Sequence, residues 1–170
     1  YLLDVTSDME INDLLDVGTG TGRILELFSS RVKHGIGIDL SREMLAIARS
    51  HLEQQKISNM QVRQGDMYDL ALKDNSMDLV IVHQVLHFAD DPHAAIKETS
   101  RILRKNGQVI IVDFLPHKIE KLREEHAHRR LGFSQEEVKE WCSVTGLKYK
   151  LMEIMQGSEL DIAIWVASKN

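Results

Sequence analysis

The chain has 170 residues, of which 43% are hydrophobic and 28% are charged, and its formal net charge is −5. This length suits one well-buried domain, and the acidic balance argues against a broad surface that follows nucleic-acid phosphates. No apolar run approaches the ~20 residues that a membrane-spanning helix needs, and no signal-peptide pattern opens the chain. The one cysteine, Cys142, excludes disulfides within the chain and fits a reducing compartment, so we expect a cytoplasmic protein.

The first predicted strand, residues 14–17, runs directly into a loop with a glycine at every second position, Gly18-Thr19-Gly20-Thr21-Gly22. Glycine lets the backbone approach a ligand where a Cβ would clash, and the helix expected beyond the loop offers free N–H donors. A second apolar run, residues 35–38, ends at Asp39, whose carboxylate can accept both hydroxyls of a ribose. Together the two motifs indicate a site for a ligand that contains a nucleoside.

The glycine spacing distinguishes two kinds of cofactor. A dinucleotide fingerprint, G-x-G-x-x-G, requires a third glycine at position 23, where this chain has Arg23. The chain instead has G-x-G-x-G, preceded by Asp16, which disfavours a nicotinamide oxidoreductase. A glycine-rich loop can also occur only because glycine fits a tight turn. The presence of Asp39 at the end of the next predicted strand nevertheless favours a cofactor site.

Short apolar runs alternate with helical periods along the chain, which predicts β/α units around a parallel sheet. Several runs are apolar at every position, as expected for strands that helices cover on both faces. The predicted strands are residues 14–17, 35–38, 60–62, 79–82 and 109–112.

Three helices are predicted from capping residues. One starts at Asp91-Pro92 and is expected to end in Arg104-Lys105-Asn106-Gly107, where basic charge precedes residues that tolerate a left-handed conformation. The other two start at Ser41, with Met44, Ala48 and Leu52 on one face, and at the capping box Ser134-Gln135-Glu136-Glu137, closing at Gly146.

Two strand-like stretches, residues 147–156 and 160–168, close the chain with no room for a helix between them. They must therefore pair antiparallel, as a hairpin at one edge of the sheet. A parallel α/β sheet with helices on both faces and a C-terminal antiparallel hairpin resembles the Rossmann-like, seven-stranded methyltransferase fold.

Motifs along nearly the whole chain resemble those of class I S-adenosylmethionine-dependent methyltransferases, with the ubiquinone/menaquinone-biosynthesis type nearest. They occupy residues 16–22, 37–45, 64–67, 78–81, 85–88, 91–92 and 101–104. The resemblance implies an enzyme that methylates a small molecule at carbon or oxygen, with S-adenosylmethionine as cofactor and S-adenosylhomocysteine as product.

Residues 113–117 and 123–133 are similar to methyltransferase domains fused behind a winged-helix repressor of the arsenic-repressor type. This implies an alternative function, a domain that senses S-adenosylmethionine or S-adenosylhomocysteine for transcription regulation and leaves DNA binding to an upstream domain. Tyr1 in place of Met leads us to expect that residues 1–170 are one domain of a longer chain.

The resemblance also implies roles for single residues at the cofactor. Leu40 and Met67 can equally be core residues, and Asp66 can be a turn aspartate. The implied contacts are Gly18, Thr19, Gly20 and Gly22 under the methionine and ribose, Asp16 toward the amino-acid end, Asp39 on the ribose hydroxyls, Leu40 and Met67 on the adenine, Asp66 on the adenine N6 amine, and the His83 backbone carbonyl on the methionine ammonium.

The sequence offers no clear general base, and methyl transfer needs one only for a protonated oxygen or nitrogen acceptor. His87 and His126 are the candidate catalytic residues, beside Asp113 and His128, although each histidine can equally be structural or solvated. His83 and His87 have a metal-like spacing only if helical and lack a third ligand, so we expect no metal.

The basic run His126-Ala127-His128-Arg129-Arg130 is either a charged helix face or a site for a carboxylate or phosphate on the acceptor.

Overall fold

Seven strands and five helices account for most of the computed structural model, which describes residues 1–170. The strands are β1 (Ile11–Val17), β2 (Val32–Asp39), β3 (Met60–Gln64), β4 (Met77–His83), β5 (Leu103–Phe114), β6 (Leu147–Met155) and β7 (Ile162–Lys169). The helices are α1 (Arg23–Phe28), α2 (Arg42–Gln54), α3 (Pro92–Ile102), α4 (Lys121–His126) and α5 (Gln135–Val144), and a 3₁₀ turn covers Leu86–Phe88.

The strands form one sheet in the order β3-β2-β1-β4-β5-β7-β6. The first five strands are parallel, whereas β7 lies antiparallel between β5 and β6. This confirms the predicted seven-stranded Rossmann-like methyltransferase fold and its C-terminal hairpin. The strand order reverses between β1 and β4, and a crevice opens at such a point at the carboxyl ends of the strands.

Helices cover both faces of the sheet because the central strands are apolar at consecutive positions. Leu14 and Leu15 on β1 are both fully buried, one on each face. The α1 and α2 helices contribute to the core on the Leu14 face, and α3 and α5 to that on the Leu15 face. The buried face of α2 is Leu45, Ala48 and Leu52, so the expectation that Met44 lies on it was wrong: Met44 is exposed.

The predicted end of the third helix was also wrong. The α3 helix ends at Ile102, because Leu103 is already extended and pairs with Met77 of β4. Residues 104–107 then loop out of the strand, and Asn106 there has the left-handed conformation (φ +64°) that was expected of a helix stop. The left-handed residue is therefore present, but it belongs to an irregularity in β5.

Two connections differ from simple β/α units. The segment between β3 and β4 contains no helix, and α4 is a short helix with no buried residue. None of the helices is both long enough and apolar enough to cross a membrane.

Candidate active site

The glycine loop joins β1 to α1, and its three glycines have left-handed φ values of +71°, +52° and +80°. A Cβ on Gly18 would lie 2.5 Å from Cγ2 of Val85, so only glycine fits there. A Cβ on Gly20 would meet no atom within 4 Å. The backbone at Gly20 therefore borders open space that a ligand can occupy.

Asp39, at the end of β2, is tied to this loop. Its Oδ2 accepts the Gly20 N–H at 2.8 Å, and its Oδ1 accepts the Ser41 N–H at 2.9 Å. Each carboxylate oxygen retains a lone pair that can accept a hydroxyl. The two backbone donors thus hold the carboxylate in a defined orientation at the rim of the open space.

A cavity of about 360 Å³ lies at this rim, where β1, β2 and β4 end. Its position is the crevice that the reversal of strand order creates. The cavity is lined by Val17, Gly18, Gly20, Ile38, Asp39, Leu40, Gly65, Met67, Gln84, Val85 and Phe88.

Asp16 and Thr19 lie beneath the loop and are buried. Neither carboxylate oxygen of Asp16 has a hydrogen-bond partner, and the Thr19 hydroxyl has none either. Burial raises the pKa of Asp16 to about 7; the nearby Thr19 hydroxyl opposes this shift, and the charge of Asp39 adds a smaller contribution to it. A buried carboxylate without a partner would be stabilised by a cationic group bound at the loop.

The remaining predicted cofactor residues differ in whether they line the cavity. Leu40 lines it and is 60% exposed, which excludes a core role. Met67 lines the cavity and also packs against the core. Gly22 faces Ala48 of α2 instead of the cavity.

Asp66 is exposed between two lining residues, and its Oδ1 accepts the Tyr68 N–H at 3.0 Å in a turn. His83 is the last residue of β4, not a residue beyond it, and the chain then turns through Gln84 (φ +50°) into the cavity wall.

His87, one of the two candidate catalytic residues, lies in the 3₁₀ turn after β4 and is buried. Its Nδ1 is 2.8 Å from Oδ1 of Asp113, which is fully buried near the end of β5. Asp113 also accepts the N–H groups of His87 and Phe114, at 3.3 and 2.8 Å. Neighbouring parallel strands thus bring together a histidine–carboxylate pair that lies 26 residues apart in sequence.

The other candidate, His126, is exposed at the end of α4. Ala127 adopts a left-handed conformation (φ +56°) that ends the helix, so the run from His126 to Arg130 is not one helix face. His128 turns inward instead, and its ring stacks on His87 with centroids 4.1 Å apart. This stack is not evident from the sequence, where the one signal is that His128 belongs to a segment expected near the substrate.

The two arginines of the same run are engaged by Asp90. Arg129 forms an ion pair with its carboxylate at 2.6 Å, and Arg130 donates to its backbone carbonyl at 3.0 Å. The backbone N–H groups of Arg129 and Arg130 also donate to the His87 carbonyl. The segment after α4 is therefore held against the 3₁₀ turn.

Possible metal ligands do not converge. His83 ends a strand and His87 lies in a 3₁₀ turn, so the two are not on one helix. No group of three or more histidine, cysteine, aspartate or glutamate side chains is arranged to hold a metal ion.

A sequence profile described as a methyltransferase domain matches residues 15–111, which is more than half of the chain. The chain belongs to this methyltransferase family. The uncharacterised methyltransferase YcgJ of Bacillus subtilis is 31% identical over 100 residues, which are 59% of this chain and 40% of that protein. A phosphatidylethanolamine N-methyltransferase of Cereibacter sphaeroides is 38% identical over 101 residues, which are 59% of this chain and 49% of that enzyme.

A ubiquinone biosynthesis O-methyltransferase of Acinetobacter baylyi is 31% identical over 97 residues, covering 56% of this chain and 41% of that enzyme. The methyltransferase domain thus matches half or less of the length of these relatives. The crystal structure of YcgJ superposes with a TM-score of 0.85 at 20% identity, over 99% of this chain and 96% of that one, which supports the fold. None of these relatives is named as a regulator, so they give no support to a repressor fusion.

The cofactor of this family is S-adenosylmethionine, and the residues of the cavity fit it. The open space over Gly20 can take the ribose beside Asp39. The unpartnered carboxylate of Asp16 is a suitable counter-charge for the methionine ammonium. The exposed side chain of Leu40 offers an apolar surface to the adenine.

Proposed function

We propose that this domain binds S-adenosylmethionine in the cavity above the glycine loop and transfers its methyl group to a small molecule at carbon or oxygen. The observation that carries the proposal is the fixed carboxylate of Asp39, which the Gly20 and Ser41 N–H groups orient toward the cavity rim. A carboxylate so placed at the end of the second parallel strand is suited to a ribose diol.

The proposed contacts follow the shape of the cofactor from its ribose outward. Asp39 accepts the ribose hydroxyls, Leu40 and Met67 enclose the adenine, and the free oxygen of Asp66 accepts from the adenine N6 amine. At the other end, Asp16 and the His83 backbone carbonyl face the methionine ammonium, with Gly18, Thr19, Gly20 and Gly22 forming the loop between.

When bound, S-adenosylmethionine supplies an electrophilic methyl group on a sulfonium. The contribution of the protein is to orient the cofactor, to exclude water and to hold the acceptor in line with the methyl group. Val85 and Phe88 contribute apolar side chains to the cavity wall, which suits the exclusion of water. The ubiquinone/menaquinone-biosynthesis type is the group we propose for the domain, on the strength of its motifs.

The proposal is tested by calorimetric titration of the chain with S-adenosylhomocysteine, which shares every proposed contact except the methyl group. We expect binding by the wild type and at least ~10-fold weaker binding by Asp39→Ala, because charge-assisted hydrogen bonds to the ribose are lost. Glu53→Ala removes the same charge from an exposed position on α2 and serves as the control, with unchanged affinity expected.

Absence of binding by the wild type at millimolar ligand would overturn the cofactor proposal. An unchanged affinity of Asp39→Ala would overturn the ribose contact. The transferase step is checked by radiolabelled methyl transfer from S-adenosylmethionine to a panel of small carbon and oxygen acceptors.

A further inference from the structure

The cavity at the glycine loop is lined by one side chain that can donate a hydrogen bond. This side chain is the amide of Gln84, the first residue after β4. The other lining residues are glycines, apolar residues and Asp39, whose ionised carboxylate only accepts. No lysine, arginine or histidine is among them. The cofactor contacts described above do not use the Gln84 amide.

The glycine loop has no free N–H group where it lines the cavity. Its lining residues are Gly18 and Gly20. The N–H groups of Gly18 and Thr19 both donate to the Ile38 carbonyl, at 2.8 and 3.0 Å. The N–H of Gly20 donates to Asp39 at 2.8 Å. The loop donors that could meet an anionic group of a ligand are thus engaged within the protein.

The backbone of Gln84 has a conformation that is unfavourable for residues with a Cβ. Its φ is +50°, in the left-handed region. Its N–H donates to the Val112 carbonyl of β5 at 2.7 Å, so pairing with β5 holds the residue in place. The side-chain amide, in contrast, has no hydrogen bond to the protein. Residues in such a conformation cluster at sites where a protein contacts a ligand.

Val85 holds this segment against the glycine loop. A Cβ on Gly18 would lie 2.5 Å from Cγ2 of Val85, so the two backbones approach closely. In the sheet, β1 lies between β2 and β4. Gln84, which follows β4, and Asp39, which ends β2, therefore line the cavity on opposite sides of the loop.

This arrangement determines which end of the cofactor lies near Gln84. With the ribose at Asp39 and the adenine between Leu40 and Met67, the amino-acid end extends toward β4. That end carries an ammonium and a carboxylate. Asp16 and the His83 carbonyl are suited to the ammonium, whereas the carboxylate needs a donor.

We propose that the Gln84 amide donates to the methionine carboxylate, and that Gln84 thereby selects adenosyl ligands that carry a complete amino-acid end. The inference rests on the proposed cofactor function and adds a residue that determines its ligand specificity. A neutral donor suits this position, because a cation here would compete with the methionine ammonium for the buried carboxylate of Asp16.

The test is calorimetric titration of the chain with three related ligands. S-adenosylhomocysteine has the complete amino-acid end, its decarboxylated analogue lacks only the carboxylate, and 5′-methylthioadenosine lacks both charged groups. We expect the wild type to bind S-adenosylhomocysteine at least ~10-fold more tightly than the decarboxylated analogue, because a hydrogen bond to a charged acceptor is lost.

Two substitutions of Gln84 should change this preference in different ways. Gln84→Leu removes the amide, so we expect S-adenosylhomocysteine to bind about 10-fold more weakly and the other two ligands to bind as before. Gln84→Glu should reverse the preference, because its carboxylate repels the methionine carboxylate and attracts the ammonium. A purely structural role of Gln84 would instead weaken all three ligands alike.

Gln84→Gly guards against a variant that does not fold. Glycine adopts the left-handed conformation without strain, so the backbone is retained while the amide is lost. We expect the same selective loss of S-adenosylhomocysteine affinity as in Gln84→Leu. Gln55→Leu, at an exposed position just after α2, is the matched control, with unchanged affinity for all three ligands.

Equal affinity of the wild type for S-adenosylhomocysteine and its decarboxylated analogue would overturn the inference, since the carboxylate would then have no favourable contact. Unchanged S-adenosylhomocysteine affinity in Gln84→Gly, or an equal loss for all three ligands, would overturn it as well. Each of these results contradicts the role of Gln84 alone, whereas absence of S-adenosylhomocysteine binding by the wild type contradicts the proposed function.

Discussion

Asp16 is buried at the end of β1, although neither of its oxygens has a hydrogen-bond partner. Such a carboxylate lowers the stability of the ligand-free domain once it is charged, because burial costs it the hydration that it has in the unfolded chain. In the proposed complex, the methionine ammonium lies near this carboxylate and supplies a counter-charge. A charged Asp16 therefore lowers the stability of the ligand-free domain, whereas it favours the proposed binding of the cofactor.

Replacement of Asp16 by Asn is expected to stabilise the ligand-free domain in a pH-dependent way. The pKa of Asp16 is raised from 3.8 to about 7 on folding, so the folded state binds the proton more tightly. Stability that is fully present below the lower value is lost as pH rises through the upper one. Urea unfolding should thus show Asp16→Asn more stable than wild type by a few kcal/mol near pH 8, with almost no gain near pH 4.

The same variant should bind S-adenosylhomocysteine more weakly, since it has no charge for the ammonium. Asp8→Asn, at an exposed position, is the control for both measurements. An equal gain in stability at both pH values would show that the carboxyl of Asp16 does not titrate near neutrality.

Single residues differed in how far their positions could be predicted. Gly18 and Asp39 follow apolar strands at fixed spacings, and local sequence is enough to predict that they meet at one sheet edge. The pairing of His87 with Asp113 depends on β4 and β5 being neighbours and on their register, which a pattern of apolar runs does not specify. Inward rotation of His128 depends on a left-handed Ala127, a conformation that alanine rarely adopts.

The boundary between α3 and β5 shows that tertiary contacts can override local sequence signals. Asn106-Gly107 is a good helix stop, yet the helix ends earlier because Leu103 is fully buried and paired with β4. Arg104 then reaches Asp78 on β4 and Asp13 on β1, at 2.7 and 2.8 Å. The contacts of Arg104 hold the irregular start of β5 against two other strands, and the local sequence does not reveal them.

Asp78 connects these elements, and its replacement by Ala is expected to destabilise the domain by about 2 kcal/mol. Its Oδ2 accepts the N–H groups of Asn12 and Asp13, both at 2.9 Å, where β1 begins. Burial alone would raise its pKa, but the bonds from Arg104 and the two backbone N–H groups lower it below 3.8. The contribution is consequently present above that value and lost as pH falls through the lower folded-state pKa.

Chemical denaturation near neutral pH and in acid measures both parts of this prediction. Asp74→Ala is the control, because Asp74 pairs with Arg101 at an exposed position. A loss that stays the same in strong acid would mean that the charge of Asp78 is unimportant to the junction.

Most of the fold could be predicted because the sequence signals for its strands and helices are local and repeated. Strands apolar at every position indicate helices on both faces, and two closing stretches without a helix between them indicate the antiparallel hairpin. The connection from β3 to β4 and the short α4 helix could not be predicted in the same way. They have weak apolar periods, and contacts with the rest of the molecule determine their course.

The reversed strand order and the glycine spacing together predict which ligand stabilises the whole domain. S-adenosylhomocysteine at about 100 times its dissociation constant should add about 2.7 kcal/mol, which corresponds to a rise of roughly 5–10 °C in the melting temperature. NAD at the same concentration should give no comparable rise, because Arg23 occupies the position where a pyrophosphate loop needs glycine. Differential scanning calorimetry measures both ligands, with Asp39→Ala as the variant that should lose the response. A larger rise with NAD would instead indicate a dinucleotide site, since the melting temperature follows whichever ligand the folded domain binds more tightly.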